Sequence, residues 1–379
     1  MHIAIDGKRF FLNKSGLGRY SRGLVDSLLA LGEENLHVTL FRPKGRVRFR
    51  APENKNLKVV TADYLLPGDI GNAFWRFYKL PALIAQGGYT LFHGPSHVIP
   101  GRIACPAIVT MLDLIFLRFP EYFPIYDRNY YRHIFKKSAL RADHIISISE
   151  ATKTDLTNYF NVQPEKISVV YPAVDDGLVP LNESRLAPIK EKFNLPDNYV
   201  LYVGNIEPRK NIYRLAQAFD RLMTSHKISS KTRLLIVGRK GWFTRKIFSG
   251  IHQLKNRDRI RFVGPAYGQD LSGIYQMATV MAYPSLFEGF GYPVLEAMQM
   301  GTAVLTSNVS SMPEAGGEAA SLVDPMEVED IAAGLENLLT DEQLRQDHIQ
   351  KGRRHASRFT AERMARQTLC VYQKFSSTP

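Results

Sequence analysis

The sequence predicts an α/β protein: two Rossmann-like domains facing each other across a cleft, with a helical extension at the carboxyl end. Short β-branched runs alternate with amphipathic helical stretches, the pattern of βαβ units on parallel sheets. A proline-rich, aperiodic stretch interrupts that rhythm near the middle. The length of 379 residues suits two domains or more.

In the first half, apolar β-formers place strands over residues 2–6, 37–41, 57–60, 89–92, 107–111, 144–147 and 167–171. Helical spacing falls between several of them, at 17–31, 72–85, 128–140 and 151–159. The second half repeats the scheme, with strands at 199–203, 233–237, 260–263, 280–283 and 303–306 and helices at 212–225, 271–277 and 294–300. Between the halves, the stretch from Pro172 to Pro196 holds four prolines and the pair Asp175-Asp176, with little periodicity. It reads as a linker over 173–197, joining one Rossmann-like domain of 1–172 to a second of 198–358. Residues 328–375 read as three helical segments without strands.

Composition narrows the function. At 45% hydrophobic and 22% charged residues, the chain is an ordinary globular protein rather than a disordered or fibrous one. Cys105 and Cys370 are its two cysteines, too few for a disulfide scaffold or a thiolate metal site. Residues 1–8 lack a signal-peptide pattern, and Asp113 and Arg118 break the longest apolar stretch. The expectation is a soluble cytoplasmic protein. Formal net charge is +13, and the first 172 residues carry 23 Lys+Arg against 14 Asp+Glu. Such an excess points to an anionic partner: nucleic acid, acidic lipid or a phosphorylated substrate.

Three segments can carry chemistry, each directly after a strand. In Lys14-Ser15-Gly16-Leu17-Gly18, two glycines let backbone N–H groups approach an anion at a helix start. A plain turn explains the same residues. The dinucleotide fingerprint's third glycine is absent, as is an acidic residue after the second strand, so a nicotinamide enzyme is not expected. In Gly204-Asn205-Ile206-Glu207-Pro208-Arg209-Lys210-Asn211, Arg209 offers a fork of donors and Lys210 a point charge where a diphosphate would meet the next helix. A solvated charged turn is the alternative. In the segment from Pro284-Ser285 through Glu288-Gly289-Phe290-Gly291 to Glu296-Ala297, the carboxylates Glu288 and Glu296 stand at the ends of a glycine-flanked loop, suited to accepting from sugar hydroxyls; buried structural carboxylates fit that spacing less well. The ten histidines show no metal-binding pair on a helix, and a divalent-metal role for Asp175-Asp176 is not expected. His93 and His97 follow a strand and are candidates to face the cleft, although loop or packing histidines are the commoner outcome.

Taken together, the chain resembles retaining glycosyltransferases of family four, which have the GT-B fold. The likeness spans nearly the full length, through Gly16-Leu17-Gly18, the run from Asp143 to Glu150, Glu207 to Asn211, and above all Glu288 to Glu296 followed by Met298 to Val304. It implies a metal-independent hexosyltransferase using a nucleoside-diphosphate sugar, with no cofactor beyond that donor. Arg209 and Lys210 would contact the diphosphate, helped by the N–H groups of Gly16 and Gly18. Glu288 would hold sugar hydroxyls, with Gly289, Phe290 and Gly291 lining the pocket, and Glu296 would accept from the ribose. The last helix, 359–379, would pack back on the first domain.

The chain departs from the family at two places. Asn205 stands where many relatives carry arginine, so Arg209 is expected to supply that charge. Leu112-Asp113 stands where relatives read histidine-aspartate, and leucine neither donates a hydrogen bond nor shuttles a proton. Asp113, His93 and His97 are the candidates to compensate; otherwise the chemistry does without the imidazole or the protein is slow or idle. Finally, Arg42, Lys44, Arg46, Arg48, Arg50, Lys55 and Lys58, with the aromatic-basic run Trp75 to Lys79, suit an anionic membrane surface. A face that only confers solubility is the alternative, and no nucleic-acid module is recognisable. The reading is a transferase, mannose first among its sugars, that extends a glycan or lipid-linked acceptor at the inner face of a membrane. Its rivals are an idle nucleotide-sugar-binding protein and a GT-B epimerase or phosphorylase.

Overall fold

The computed structural model describes residues 1–63, 71, 74–174 and 177–376. Asp175 and Asp176 therefore lie outside the described residues. The chain divides into two compact units, residues 1–173 with 360–379, and residues 174–359.

Unit 1 is a seven-stranded sheet in the order β3-β2-β1-β4-β5-β6-β7. Its strands are β1 (His2–Asp6), β2 (His37–Pro43), β3 (Leu57–Ala62), β4 (Leu91–Gly94), β5 (Ala107–Met111), β6 (His144–Ser147) and β7 (Ile167–Val169). All pairs are parallel, with Ile3 opposite Val38 on one side and Leu91 on the other. Central strands are buried on both faces, which is why they read as continuous apolar runs, whereas edge strand β3 exposes Lys58 and Val59. The strand order reverses between β1 and β4, and in such sheets ligands bind beyond the carboxyl ends at that point.

Unit 2 repeats the plan with β8 (Tyr199–Val203), β9 (Arg233–Val237), β10 (Ile260–Gly264), β11 (Val280–Tyr283), β12 (Ala303–Ser307) and β13 (Ala320–Val323). Its order is β10-β9-β8-β11-β12-β13, so its reversal lies between β8 and β11. Strand β13 escapes the sequence reading because its Ser321 and half-exposed Leu322 dilute the apolar run.

Helix Glu183–Lys192 lies within the stretch expected to be a linker, and residues 174–197 belong to unit 2. Asn182 caps it by accepting from the Arg185 N–H, and Pro188 inside it hides the helical pattern. Ile189 packs on Gly273, where a side chain would come within 2.8 Å. Trp75 requires a correction too: it is fully buried in the unit 1 core and forms no part of a surface patch, with Phe74 and Tyr78 exposed beside it. Among the described residues, no helix is long and apolar enough to cross a membrane.

Helix Ala361–Ser376 packs on helix Gly16–Ala30 of unit 1. Its anchor is buried and polar. Tyr372 lies 2.6 Å from His93 Nδ1, His93 Nε2 lies 2.8 Å from the Thr110 hydroxyl, and Thr110 also meets the Tyr20 hydroxyl. Tyr372→Phe should therefore cost about 1–3 kcal/mol, the penalty of an unsatisfied buried nitrogen. A urea midpoint matching wild type would show that this cluster does not hold the helix.

Candidate active site

The carboxyl ends of β8 and β11 deliver the main cluster. After β8 the chain makes a tight turn over Pro208–Lys210 and enters helix Ile212–Thr224 through Asn211, whose φ is +60°. The Asn211 amide donates to the carbonyls of Pro284 (3.0 Å) and Pro325 (2.6 Å), and Leu286 N–H donates to the Arg209 carbonyl (2.8 Å). Backbone bonding thus locks the loop after β8 to the loop after β11.

Glu288 sits where those loops meet. Arg209 donates to its Oε2 (2.8 Å), while Oε1 accepts from Lys210, the Ser285 hydroxyl (2.7 Å) and the Tyr283 hydroxyl (3.0 Å). Lys210 also donates to the Tyr283 oxygen at 2.6 Å, and Tyr283 stacks on Tyr202. Behind the carboxylate, Ser310 and Ser311 donate to the Glu288 carbonyl. A second acid, Glu207, lies 3.4 Å from Arg209 and accepts from the Asn205 amide at 3.3 Å.

Burial alone would raise the Glu288 carboxyl, but Arg209 and Lys210 outweigh it and hold the group at about 2. Lys210 moves the other way. Burial first, and the Arg209 charge second, bring its ammonium down to about 8 against the pull of Glu288. Arg209 is held above its ordinary value, because Glu288 and Glu207 overcome its desolvation. At neutral pH the cluster sets two cations, Arg209 and Lys210, around the ionised Glu288, all held in place before any ligand arrives. One consequence is a pH dependence. Raising the pH through about 8 removes the Lys210 charge, so nucleoside-diphosphate affinity should fall by up to about tenfold per unit above that point. Titration calorimetry between pH 7 and 9.5 checks this, with Lys210→Arg expected to flatten the profile.

The other expected donor-site residues differ in environment. Gly291, at φ +144°, turns the chain into helix Tyr292–Gln299, and a side chain there would strike Met312 and Ala315. Phe290 is buried with its ring against Tyr292 and Phe359, so its backbone and that of half-buried Gly289 border the loop rather than its ring. Glu296 is 3% exposed and accepts from the Tyr275 hydroxyl at 2.8 Å.

In unit 1, Gly16 and Gly18 open helix Gly16–Ala30. Gly18 N–H bonds to the Ser15 carbonyl and to Asn13 Oδ1, and a Cβ would come within 2.0 Å of the Asn13 carbonyl oxygen. Gly16 is exposed, with no partner for its N–H among the described residues. His93 and His97, both candidates to replace the missing imidazole, are structural. Burial brings each down to about 3, so both are neutral. His93 spends both nitrogens in the Tyr372 cluster, and His97 Nε2 accepts the backbone N–H groups of Leu112 (3.1 Å) and Asp113 (3.3 Å). Leu112 itself is buried. Asp113 is half-buried, its Oδ1 accepting from the Ile115 N–H at 3.2 Å.

Sequence reasoning gave no role to Tyr283, Ser285 or Ser310-Ser311. The first two stand within five residues of Glu288 and were legible as polar neighbours. The serine pair lies 22–23 residues on, and only the fold joins it to the site.

Residues 14–178 match the family described as Glycosyltransferase Family 4, and residues 185–355 match Glycosyl transferases group 1. The chain is 31% identical over 284 residues to O-antigen chain mannosyltransferase B of Escherichia coli, covering 75% of this chain and 74% of that one. It is 28% identical over 295 residues to O-antigen chain mannosyltransferase RfbU of Salmonella typhimurium, 76% of each. Among solved structures, sucrose-phosphate synthase from Thermosynechococcus elongatus superposes with a TM-score of 0.76 over all of both chains at 21% identity.

Proposed function

The chain belongs to glycosyltransferase family 4, a family of hexosyltransferases, and on that footing we propose that it transfers mannose with retention from a nucleoside-diphosphate sugar to a glycan or lipid-linked acceptor. The observation that carries the reading is the convergence of Arg209, Lys210 and Glu288 at the switch point of unit 2. Arg209 and Lys210 neutralise the departing diphosphate, where transition-state charge accumulates. With two fixed cations supplying that charge, the proposal assigns no metal. Glu288, ionised in the folded protein, accepts from sugar hydroxyls and steadies the developing positive charge at the anomeric carbon. Glu296 is assigned to the ribose, Gly16 and Asn205 to the diphosphate end, and Asp113 to the place of the family histidine. The acceptor attacks the face from which the diphosphate leaves. The mannosyl assignment and a role in surface-polysaccharide synthesis rest on relatives that carry those names. Work at the cytoplasmic face of a membrane would follow from a lipid-linked acceptor.

One observation favours a second reading, an idle nucleotide-sugar-binding protein: Leu112 is buried and neither neighbouring histidine replaces the imidazole. A single screen separates the two. The protein is titrated with GDP, UDP, ADP and their sugars, first with chelator and then with magnesium. A true donor nucleotide at ~100 times its dissociation constant adds ~2.7 kcal/mol of stability. Donor turnover alongside binding supports the transferase. Binding with no turnover supports the idle protein, and binding of no nucleotide overturns both.

A further inference from the structure

The switch point of unit 1, between β1 and β4, carries a charged cluster that the transfer reading leaves unused. Asp6 closes β1 and is 2% exposed. Its Oδ2 takes Arg76 Nε at 2.8 Å, with the Arg76 guanidinium also at 2.8 Å, while Oδ1 accepts the Lys8 N–H. Asp6 is therefore already engaged. Arg9, two residues further from the strand than Gly7, makes no side-chain hydrogen bond or ion pair among the described residues, and its Nε is buried. Burial first and the Arg76 charge second disfavour the charged Arg9, the Asp6 carboxylate acts the other way, and Arg9 in turn helps keep the His97 ring neutral. Tyr130 and Tyr131, on helix Ile125–Arg141, are within the same electrostatic reach, and Tyr130 is exposed.

One carboxylate, Asp6, thus serves two guanidiniums, and a half-buried Arg9 whose Nε has no hydrogen-bond partner is favoured when an anion completes the site. The place fits a ligand. Arg9 follows one of the two strands at the reversal, and His97 follows the other and clamps the Leu112–Asp113 turn. The donor diphosphate already has cations of its own, Arg209 and Lys210, on unit 2.

We propose that Arg9, backed by Arg76, binds a phosphate group carried by the acceptor beside the sugar that is extended. Naming the ligand as acceptor rests on the transferase reading; the phosphate chemistry does not. A lipid-linked diphosphate and a soluble sugar phosphate share that group.

The test is titration of the GDP-saturated protein with α-mannose 1-phosphate and with methyl α-mannoside. The wild type should bind the phosphorylated sugar at least about tenfold more tightly, as a charge-assisted hydrogen bond supplies. Arg9→Gln should erase that preference, Arg9→Lys should keep part of it, and GDP affinity should hold in both. Because the guanidinium serves a ligand, Arg9→Gln should melt at or above the wild-type temperature. A polyprenyl diphosphate mannoside in detergent assigns the source: tighter binding than mannose 1-phosphate supports a lipid carrier, and equal binding supports a soluble sugar phosphate. No phosphate preference in the wild type overturns the proposal. So does a preference that survives Arg9→Gln, or a variant that melts lower and loses both sugars alike. Failure of GDP, UDP and ADP alike to bind would count against the transferase reading instead, and the two sugars can still be compared without a nucleotide.

Discussion

Glu288→Gln is expected to reduce transfer by on the order of 10²–10³-fold, the cost of removing one preorganised electrostatic partner of a transition state. The substitution keeps the side chain's shape and removes its charge. Four groups now converge on that carboxylate: Arg209, Lys210, Tyr283 and Ser285. Without it, two mostly buried cations lose a counter-charge, and breaking buried pairs of this kind costs about 3–5 kcal/mol. The ligand-free variant should therefore melt well below wild type, and a nucleoside diphosphate should restore part of the loss by supplying negative charge. Initial rates on folded, nucleotide-saturated protein separate chemistry from stability. Near-normal turnover would remove Glu288 from the reaction.

Lys210→Ala carries the second large effect. The ammonium is almost fully enclosed and bonded to Glu288 and Tyr283, so its position is fixed before any ligand arrives. Losing one charged donor to a phosphate should weaken nucleoside-diphosphate binding by ten- to a hundredfold. The fold should suffer less than in Glu288→Gln, because Arg209 still pairs with Glu288. Calorimetry with GDP and UDP checks the affinity. An unchanged constant would place the diphosphate elsewhere.

The sequence displayed the parts of the site that are local. Arg209, Lys210 and Glu288 stand in short polar loops directly after apolar strands, and parallel α/β topology brings such loops together. What stayed hidden depends on distant pairing. The Asp6–Arg76 contact joins residues 70 apart, and the His93–Tyr372 bond spans 279. Trp75 sits in a run of alternating aromatic and basic residues that periodicity cannot orient, and the fold turns its ring inward. His93 and His97 follow a strand as ligand-site residues do, yet the first is spent on Thr110 and Tyr372 and the second on a backbone turn. Helix Glu183–Lys192 was obscured by Pro188, and tertiary contacts such as the Leu181–Gln276 hydrogen bonds support it where local propensity does not.

The transfer proposed for the cluster around Glu288 is mannosyl and retaining, from a nucleoside diphosphate. Its most direct measurement needs no acceptor: the slow release of sugar from GDP-α-mannose, followed by proton NMR within the first minutes. The predicted result is α-mannose appearing with stoichiometric GDP, and neither product from Glu288→Gln. First appearance of β-mannose, or no release at any enzyme concentration, would contradict it.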